Sequence, residues 1–155
     1  MTKQWQDDDR LLDSASAHLL GAVSVFPKRM LRVDELIHRF DMPLSQMQIL
    51  ALVGEKTLNI GQISSRMGIA KPNITPLVDA LIARGYVHRV RSGSDRRVVQ
   101  VEIRPEGRAC LNEIRLAITE QMRRWPAAAM RADIEALDRS LETLLHFMDK
   151  IDEES

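Results

Sequence analysis

Apolar residues recur every three or four positions over most of the chain, which is the spacing of one face of an α-helix. The first such series covers residues 11–40 and contains Leu12, Leu19 and Leu36. Pro27 interrupts it, and a proline inside a helix removes a backbone donor and clashes with the preceding turn. The pattern therefore predicts a long helix that kinks or breaks at Pro27 and a second helix after it.

The middle of the chain contains two short helical stretches joined tightly. Asn59 is placed to cap a helix that ends at Met67, and Gly68 supplies a turn. An amphipathic helix follows over residues 70–84, and Gly85 stands where a helix C-cap glycine belongs. Two helices joined through a glycine turn are typical of a helix-turn-helix motif.

Two prolines leave the start of this second helix open. If Ala70 is the N-cap, Pro76 lies in the second turn and clashes with the carbonyl of Pro72. If Asn73 is the N-cap, Pro76 occupies the third helical position, where its missing donor costs little. We therefore expect either a helix that begins near Asn73 or an irregular first turn.

A hairpin is predicted next, because residues 86–90 have strand character and every second residue of the stretch 98–103 is apolar. The connecting segment, residues 91–97, contains three arginines and is longer than a tight turn. A loop of this length is normally retained for function. We predict that it projects from the body of the protein as a basic wing.

Two more helices are predicted after Gly107, the first of them ending at Pro126. The second repeats apolar residues at alternating spacings of three and four, which is the a/d seam of a heptad repeat. The seam residues are Ile134, Leu137, Leu141, Leu144, Met148 and Ile151. A long, narrow seam usually packs on partner helices, so we predict a homodimer. The alternative is a seam buried within its own monomer.

Charge is distributed unevenly although the 155-residue chain has 22 basic and 22 acidic side chains and no net charge. Residues 66–104 hold eight basic and three acidic side chains, a balance of +5, between a near-neutral start and an acidic end. A local basic region is what a polyanion-binding surface needs. Chance clustering on a solvated face would give the same pattern.

Composition and motifs exclude several classes of protein. The single cysteine, Cys110, cannot form an intrachain disulfide or a CxxC metal site, and we expect it to be a small buried apolar residue. No phosphate-cradling glycine loop, GxSxG or HExxH motif is present, so neither an enzyme nor a cofactor is predicted. The histidines show no metal-binding spacing, and no metal site is predicted. The longest apolar stretch, residues 19–27, is far shorter than the roughly 20 residues that span a bilayer. We expect a soluble, cytoplasmic protein without a membrane partner.

Four segments occur in a fixed order within residues 44–107. They are LSQMQIL at 44–50, NIGQISSRMGI at 59–69, ITPLVDALIARGYV at 74–87, and SDRR at 94–97 followed by Val101, Ile103 and Gly107. Together they resemble the first helix, positioning helix, recognition helix and wing of the MarR family of winged-helix transcriptional regulators. The chain departs from the family at two positions. One is Pro76, inside the presumed recognition helix. The other is Arg104, where the family usually has a threonine that caps the next helix, so that Pro105 or Glu106 must start that helix here.

The resemblance implies a mainly α fold, a winged helix-turn-helix with a small β-hairpin wing and N- and C-terminal dimerisation helices. The expected boundaries are 1–43 for the N-terminal dimerisation helices, 44–105 for the DNA-binding domain and 106–155 for the C-terminal dimerisation helices. The implied function is a ligand-responsive repressor that acts as a homodimer on a pseudo-palindromic operator in double-stranded DNA. The alternatives are a helical dimer that acts through protein partners and a winged-helix regulator without a small-molecule ligand.

The start of a recognition helix enters the major groove, where its residues lie nearest the base edges. The candidate contacts here are Lys71, Pro72, Asn73, Thr75 and Pro76. Asn73 is suited to a bidentate bond with an adenine edge unless it is occupied as a helix cap. Thr75 suits a thymine methyl or a phosphate, and Lys71 suits guanine or a phosphate.

In the wing, Arg96 is the candidate for insertion into the minor groove. The resemblance implies that Asp95 and Arg97 are the family's paired acid and base, which hold the wing and aim toward phosphate. The candidate phosphate contacts are Arg91, Ser92 and Ser94. The alternative for each arginine is a solvated surface charge.

Members of the family commonly respond to small aromatic ligands held between the dimerisation helices and the DNA-binding lobe. The resemblance therefore implies a small aromatic effector as a third kind of partner, besides DNA and a second copy of the chain. The candidate lining residues are His18, Phe26, Met30 and Trp125. The alternative for each of them is ordinary core packing.

Overall fold

The computed structural model describes residues 2–91, 98–125 and 131–153, and in this part of the chain it contains seven α-helices and three short strands. The helices are α1 Thr2–Val25, α2 Val33–Phe40, α3 Leu44–Glu55, α4 Ile60–Met67, α5 Lys71–Ala83, α6 Pro105–Met122 and α7 Arg131–Glu153. The strands are β1 Leu58–Asn59, β2 Val87–Arg91 and β3 Val99–Ile103. The chain divides into two compact units, residues 1–41 and 42–155.

The first unit contains the predicted break at Pro27. Helix α1 ends at Val25, and a π-helical turn, Phe26–Met30, follows it. The backbone N–H of Leu31 donates to the carbonyl of Phe26 at 3.3 Å, which closes this wider turn. Helix α2 then begins after Arg32, whose backbone is left-handed with φ 36°. The predicted interruption of the long helix is confirmed.

The helix-turn-helix of the second unit is formed by α4 and α5. Asn59 caps α4 as predicted, because its side chain accepts from the N–H of Gln62 at 2.8 Å while its own N–H donates to Gln62 Oε1 at 2.9 Å. This reciprocal capping box satisfies two backbone donors at the start of the helix. Gly68 ends α4 in the left-handed conformation, with φ 62°, which glycine adopts without strain.

Helix α5 begins at Lys71, earlier than the start near Asn73 that was one of the two predicted alternatives. Its N-cap is Ala70, so the start near Asn73 is wrong, and Pro76 lies in the second turn. Pro72 occupies one of the first two helical positions, where a proline is well tolerated. The first turn is tightened by a bond from the Asn73 N–H to the Ala70 carbonyl at 2.9 Å. Pro76 is the sixth residue of the helix, so its missing N–H leaves the Pro72 carbonyl without the donor that it would otherwise have four residues on.

The sheet has three strands in the order β1-β3-β2, all antiparallel. The predicted hairpin is confirmed, and its register pairs Val87 with Ile103 and Arg91 with Val99. Along β3, Val101 and Ile103 are buried, whereas Val99 at the far end of the hairpin is exposed. Strand β1 was not predicted, because two residues are too short to show an alternating pattern.

Helix α6 begins at Pro105 with Arg104 as its N-cap and no side-chain capping bond, so the proline start serves in place of a threonine. Its buried face packs against α3, and its first turn lies against Tyr86, the residue before β2. A Cβ on Gly107 would overlap the carbonyl oxygen of Tyr86, and a Cβ on Gly54 would lie 2.5 Å from Leu111 Cδ2. Both glycines therefore permit a close approach. Helix α6 ends at Met122, shortly before Pro126, and Trp125 is half-buried.

Helix α7 confirms the last predicted helix. Five of its six seam residues are between 37% and 49% exposed, so the described part of the chain leaves this face largely uncovered. The mainly α architecture with a small antiparallel sheet agrees with the predicted winged helix-turn-helix fold. Among the described residues, no helix is long and apolar enough to cross a membrane.

Candidate nucleic-acid interface

Helix α5 has one buried face and one exposed face. Ile74, Val78 and Leu81 are fully buried and fix the depth at which the helix sits in the second unit. The exposed residues of its first two turns are Lys71, Pro72, Asn73 and Pro76. Four of the five predicted major-groove residues are therefore exposed in the first two turns of the helix, the end at which recognition helices approach bases.

The polar side chains in these two turns differ in their contacts. Asn73 is not the helix cap, so the alternative in which capping occupies its amide is excluded. Thr75 is half-buried, and its hydroxyl donates to the carbonyl of Lys71 at 3.3 Å. Lys71 extends over Gly61 of α4, since a Cβ at that glycine would lie 3.3 Å from Lys71 Cε. Gly61 therefore leaves room for the lysine where the two helices meet.

An ion pair that the sequence patterns did not predict connects the recognition helix to the hairpin. Arg89 of β2 donates to Asp79 of α5 at 2.6 Å, and both side chains are about half exposed. Asp79 lies on the exposed face of α5 and Arg89 on the outward face of β2, so the two meet after the chain reverses at Gly85. The sequence signal that could have predicted this pair is the presence of opposite charges on the outward faces of two successive elements.

The predicted wing contacts are only partly covered by the structure. Arg91 is exposed and is the last residue of β2, where it pairs with Val99 of β3. The other predicted wing residues lie outside the described residues, namely Ser92, Ser94, Asp95, Arg96 and Arg97. On the described strands, His88 Nε2 and Glu102 Oε2 are 3.3 Å apart across the β2–β3 pair.

The candidate effector residues are divided between the two units. His18, Phe26 and Met30 belong to the first unit, where His18 is exposed and the other two are half-buried. Trp125 belongs to the second unit. A cleft of about 430 Å³ lies within the second unit, and none of these four residues lines it. The predicted lining set therefore stays a prediction.

Cys110 is buried on α6, as expected. Burial raises the pKa of its thiol, and this effect outweighs the hydrogen bond with Tyr86, which lowers the pKa. Burial, together with the neighbouring Cys110, also raises the pKa of the Tyr86 phenol. A buried thiol held protonated is a packing group rather than a reactive one. In the described ranges, no group of three or more His, Cys, Asp or Glu residues is arranged to hold a metal ion.

These features define a winged-helix fold: a helix-turn-helix whose second helix exposes its first turns, and a hairpin that the Arg89–Asp79 ion pair connects to that helix. The MarR family model matches residues 40–98. HTH-type transcriptional regulator SarZ from Staphylococcus saprophyticus is 30% identical over 115 residues, which cover 74% of this chain and 75% of SarZ. The chain belongs to the MarR family.

Other relatives match a shorter part. The HTH-type regulator YsmB from Bacillus subtilis (strain 168) is 31% identical over 91 residues, or 59% of this chain, and YfiV from the same strain is 38% identical over 66 residues, or 42% of this chain. The matches span only 62% of YsmB and 41% of YfiV.

Solved structures agree at the level of the fold. A MarR family protein from Bacillus stearothermophilus has a TM-score of 0.68 at 22% identity, covering 91% of this chain and 97% of that one. NadR in complex with 4-hydroxyphenylacetate has a TM-score of 0.66 at 21% identity, covering 81% and 89% of the two chains.

Proposed function

We propose that this regulator is a homodimeric repressor that binds a pseudo-palindromic operator and releases it in response to a small effector. The observation that carries the DNA-binding part is the exposure of Lys71, Asn73 and Pro76 in the first two turns of α5. An amide and an ammonium on a rigid, exposed helix terminus suit the hydrogen-bonding pattern of the major groove. The neighbouring Ile74 is fully buried, and its packing holds the start of α5 in place.

Direct readout falls to Asn73 and Lys71 in this proposal. An asparagine amide pairs with the N6 and N7 edge of adenine, and a lysine reaches guanine or a phosphate. Thr75, whose hydroxyl bonds Lys71, contributes its methyl group, while Pro72 and Pro76 add apolar contact. Arg91 and the wing residues Ser92, Ser94, Arg96 and Arg97 supply phosphate and minor-groove contacts, with Asp95 holding the wing.

Dimerisation is supported by two apolar surfaces, each in a different unit. Helix α1 exposes large apolar side chains, and so does α7. Those of α1 are Leu11, Leu12, Leu19, Leu20, Val23 and Val25, and those of α7 are Ile134, Leu141, Leu144, Leu145, Phe147, Met148 and Ile151. Large exposed apolar faces mark interaction sites. A second copy of the chain would cover them and present two recognition helices to one duplex.

The effector response is proposed from a solved structure of the same fold. NadR holds 4-hydroxyphenylacetate, a small aromatic acid, and its fold matches this one. A ligand that binds one arrangement of the recognition helices more tightly shifts the dimer toward that arrangement. For an aromatic effector, His18, Phe26, Met30 and Trp125 remain the candidate contacts.

Selection of bound sequences from random duplex DNA tests the function directly. We expect a pseudo-palindrome whose half-site centres are roughly one helical turn, about 34 Å, apart. Sedimentation equilibrium should give a dimer. Enrichment of a single, asymmetric half-site, or of no sequence, would contradict the proposal.

Two matched pairs of variants test the contacts by fluorescence anisotropy at fixed salt. Asn73→Ala should relax the base preference at one base pair of each half-site by about 1–3 kcal/mol. Asn112→Ala, on the exposed face of α6, should leave the base preference unchanged. Arg96→Ala should weaken operator binding more than Arg115→Ala. Equal effects within either pair would reject that contact.

A further inference from the structure

A proline near the exposed start of helix α5 leaves one backbone acceptor without its regular donor. In an α-helix the carbonyl of each residue accepts from the N–H four residues on. Pro76 has no N–H, so the carbonyl of Pro72 lacks that donor. The Thr75 hydroxyl does not supply one, because it donates to the carbonyl of Lys71 at 3.3 Å. The first two turns of α5 therefore contain an acceptor that the regular helix bond does not occupy.

This acceptor lies on the exposed side of the helix. A carbonyl in an α-helix points along the axis toward the residue four positions on, so that of Pro72 points toward Pro76. Both prolines are exposed, and so is Asn73 between them. Ile74 and Val78 are fully buried and mark the opposite side. The acceptor therefore lies beside the asparagine to which the proposed function assigns base readout.

The position of Pro76 also costs stability. A proline beyond the first turn of a helix removes a hydrogen bond, and its ring crowds the carbonyl four residues before it. The side chain of Pro76 is exposed, so the packing of the core does not account for a proline there. A local rule that is broken on an exposed surface without a gain in packing is typical of a functional position.

We propose that Pro76 is a specificity-determining residue, because it frees the Pro72 carbonyl to accept a hydrogen bond from a base amino group in the major groove. The groove presents two amino donors, N6 of adenine and N4 of cytosine, whereas guanine and thymine present the acceptors O6 and O4. A carbonyl only accepts, so it favours adenine or cytosine on the contacted strand. This inference rests on the proposed function, in which the start of α5 enters the major groove.

The signature of this contact is a preference for two bases at one position of each half-site. The Asn73 amide has both a donor and an acceptor and is suited to adenine alone. A proline ring packed on a base would instead favour thymine, whose methyl group is apolar. A shared preference for adenine and cytosine therefore identifies a main-chain carbonyl rather than either kind of side chain.

Anisotropy titrations at fixed salt test the contact, with duplexes that carry each of the four bases in turn at every position of the selected operator. At the contacted position, guanine or thymine should weaken wild-type binding about tenfold relative to adenine or cytosine, because two acceptors then face each other. In Pro76→Ala the new N–H occupies the Pro72 carbonyl, so the four bases should bind about equally there. Pro72→Ala is the matched control. It removes a neighbouring proline ring but keeps the free carbonyl, and it should retain the wild-type preference.

A base analogue separates the amino contact from effects of DNA shape. Deoxynebularine is deoxyadenosine without the N6 amino group. Placed at the contacted position instead of adenine, it should weaken wild-type binding several-fold and leave the binding of Pro76→Ala unchanged. Pro76→Ala restores a regular helix bond and should therefore fold, which circular dichroism checks before the titrations.

Two results would overturn this inference and leave the proposed function intact. One is a wild-type operator in which no position favours adenine and cytosine together. The other is a Pro76→Ala protein that keeps all wild-type base preferences, since Pro76 would then be a structural feature only. A wild type that binds DNA without any sequence preference would overturn the proposed function, and this inference with it.

Discussion

Two glycine-to-alanine substitutions should change stability in opposite directions. Gly107 lies in the first turn of α6, and a Cβ there would overlap the carbonyl oxygen of Tyr86 and lie 2.8 Å from its carbonyl carbon. The obstacle is backbone, which cannot rotate away. The Tyr86 carbonyl also accepts from the Arg104 N–H at 2.8 Å, so moving it weakens that bond. At Gly21 in α1, by contrast, a Cβ would have no neighbouring atom of the described residues within 4 Å.

The magnitudes follow from these surroundings. Overpacking costs about 1–3 kcal/mol, and a strained hydrogen bond costs up to about 1 kcal/mol, so Gly107→Ala should destabilise the protein by roughly 2–3 kcal/mol. In Gly21→Ala the new methyl group meets no obstacle, and the variant should be about 0.5–1 kcal/mol more stable because alanine is the better helix former.

Thermal unfolding at one fixed protomer concentration measures both changes. For a chain of this size about 1 kcal/mol corresponds to roughly 2–4 °C in Tm, so Gly107→Ala should lower Tm by roughly 5–10 °C and Gly21→Ala should raise it slightly. A Gly107→Ala protein as stable as the wild type would refute the close approach of α6 to Tyr86. A Gly21→Ala protein that is less stable would refute the open surroundings of that glycine.

Three further predictions concern single features of the second unit. Arg89→Ala should cost less than about 1 kcal/mol in unfolding because its ion pair with Asp79 is half exposed, yet it should weaken operator binding in anisotropy titrations, since α5 and the hairpin lose their connection. A change in stability without a change in affinity would contradict this role. Pro76→Ala should stabilise the protein to urea by about 1–2 kcal/mol, because the Pro72 carbonyl regains a donor, and no gain would contradict the second-turn position. Burial raises the pKa of the Cys110 thiol, so iodoacetamide should react slowly at neutral pH. The stability that Cys110 adds should be complete below the unfolded-state pKa, about 8.5, and be lost as pH rises through the higher folded-state pKa, a loss absent from Cys110→Ala.

The helical part of the fold was predictable because its signals are local. The capping pair of Asn59 and Gln62, the left-handed glycines and the apolar stripe of α5 are all contained within a few consecutive residues. The heptad seam of α7 is longer but equally regular. Such features depend on backbone geometry and side-chain spacing, which the chain shows without knowledge of its tertiary contacts.

The features that escaped prediction depend on residues far apart in the chain. Strand β1 exists because Leu58 pairs with Val101, and its two residues carry no periodicity of their own. The Arg89–Asp79 pair requires knowing how the hairpin returns beside α5. The start of α5 was undecided because local rules for Pro72 and Pro76 conflict, and burial of Ile74 at the first turn favours the longer helix.

Base preference and half-site spacing should be separable properties of this protein. The residues proposed to contact base edges, chiefly Lys71 and Asn73, lie on a helix whose depth is set by Ile74, Val78 and Leu81. The position of the hairpin depends instead on Arg89 and on the contact of Gly107 with Tyr86. Substitutions at the start of α5 should therefore change which bases are preferred, whereas changes at α6 or α7 should change the tolerated spacing. Operators selected by variants at the start of α5 should differ from the wild-type operator in base sequence, and those selected by α6 or α7 variants should differ in spacer length. The reason is that, in the proposed dimer, only the α6 and α7 variants alter how the two recognition helices are held apart.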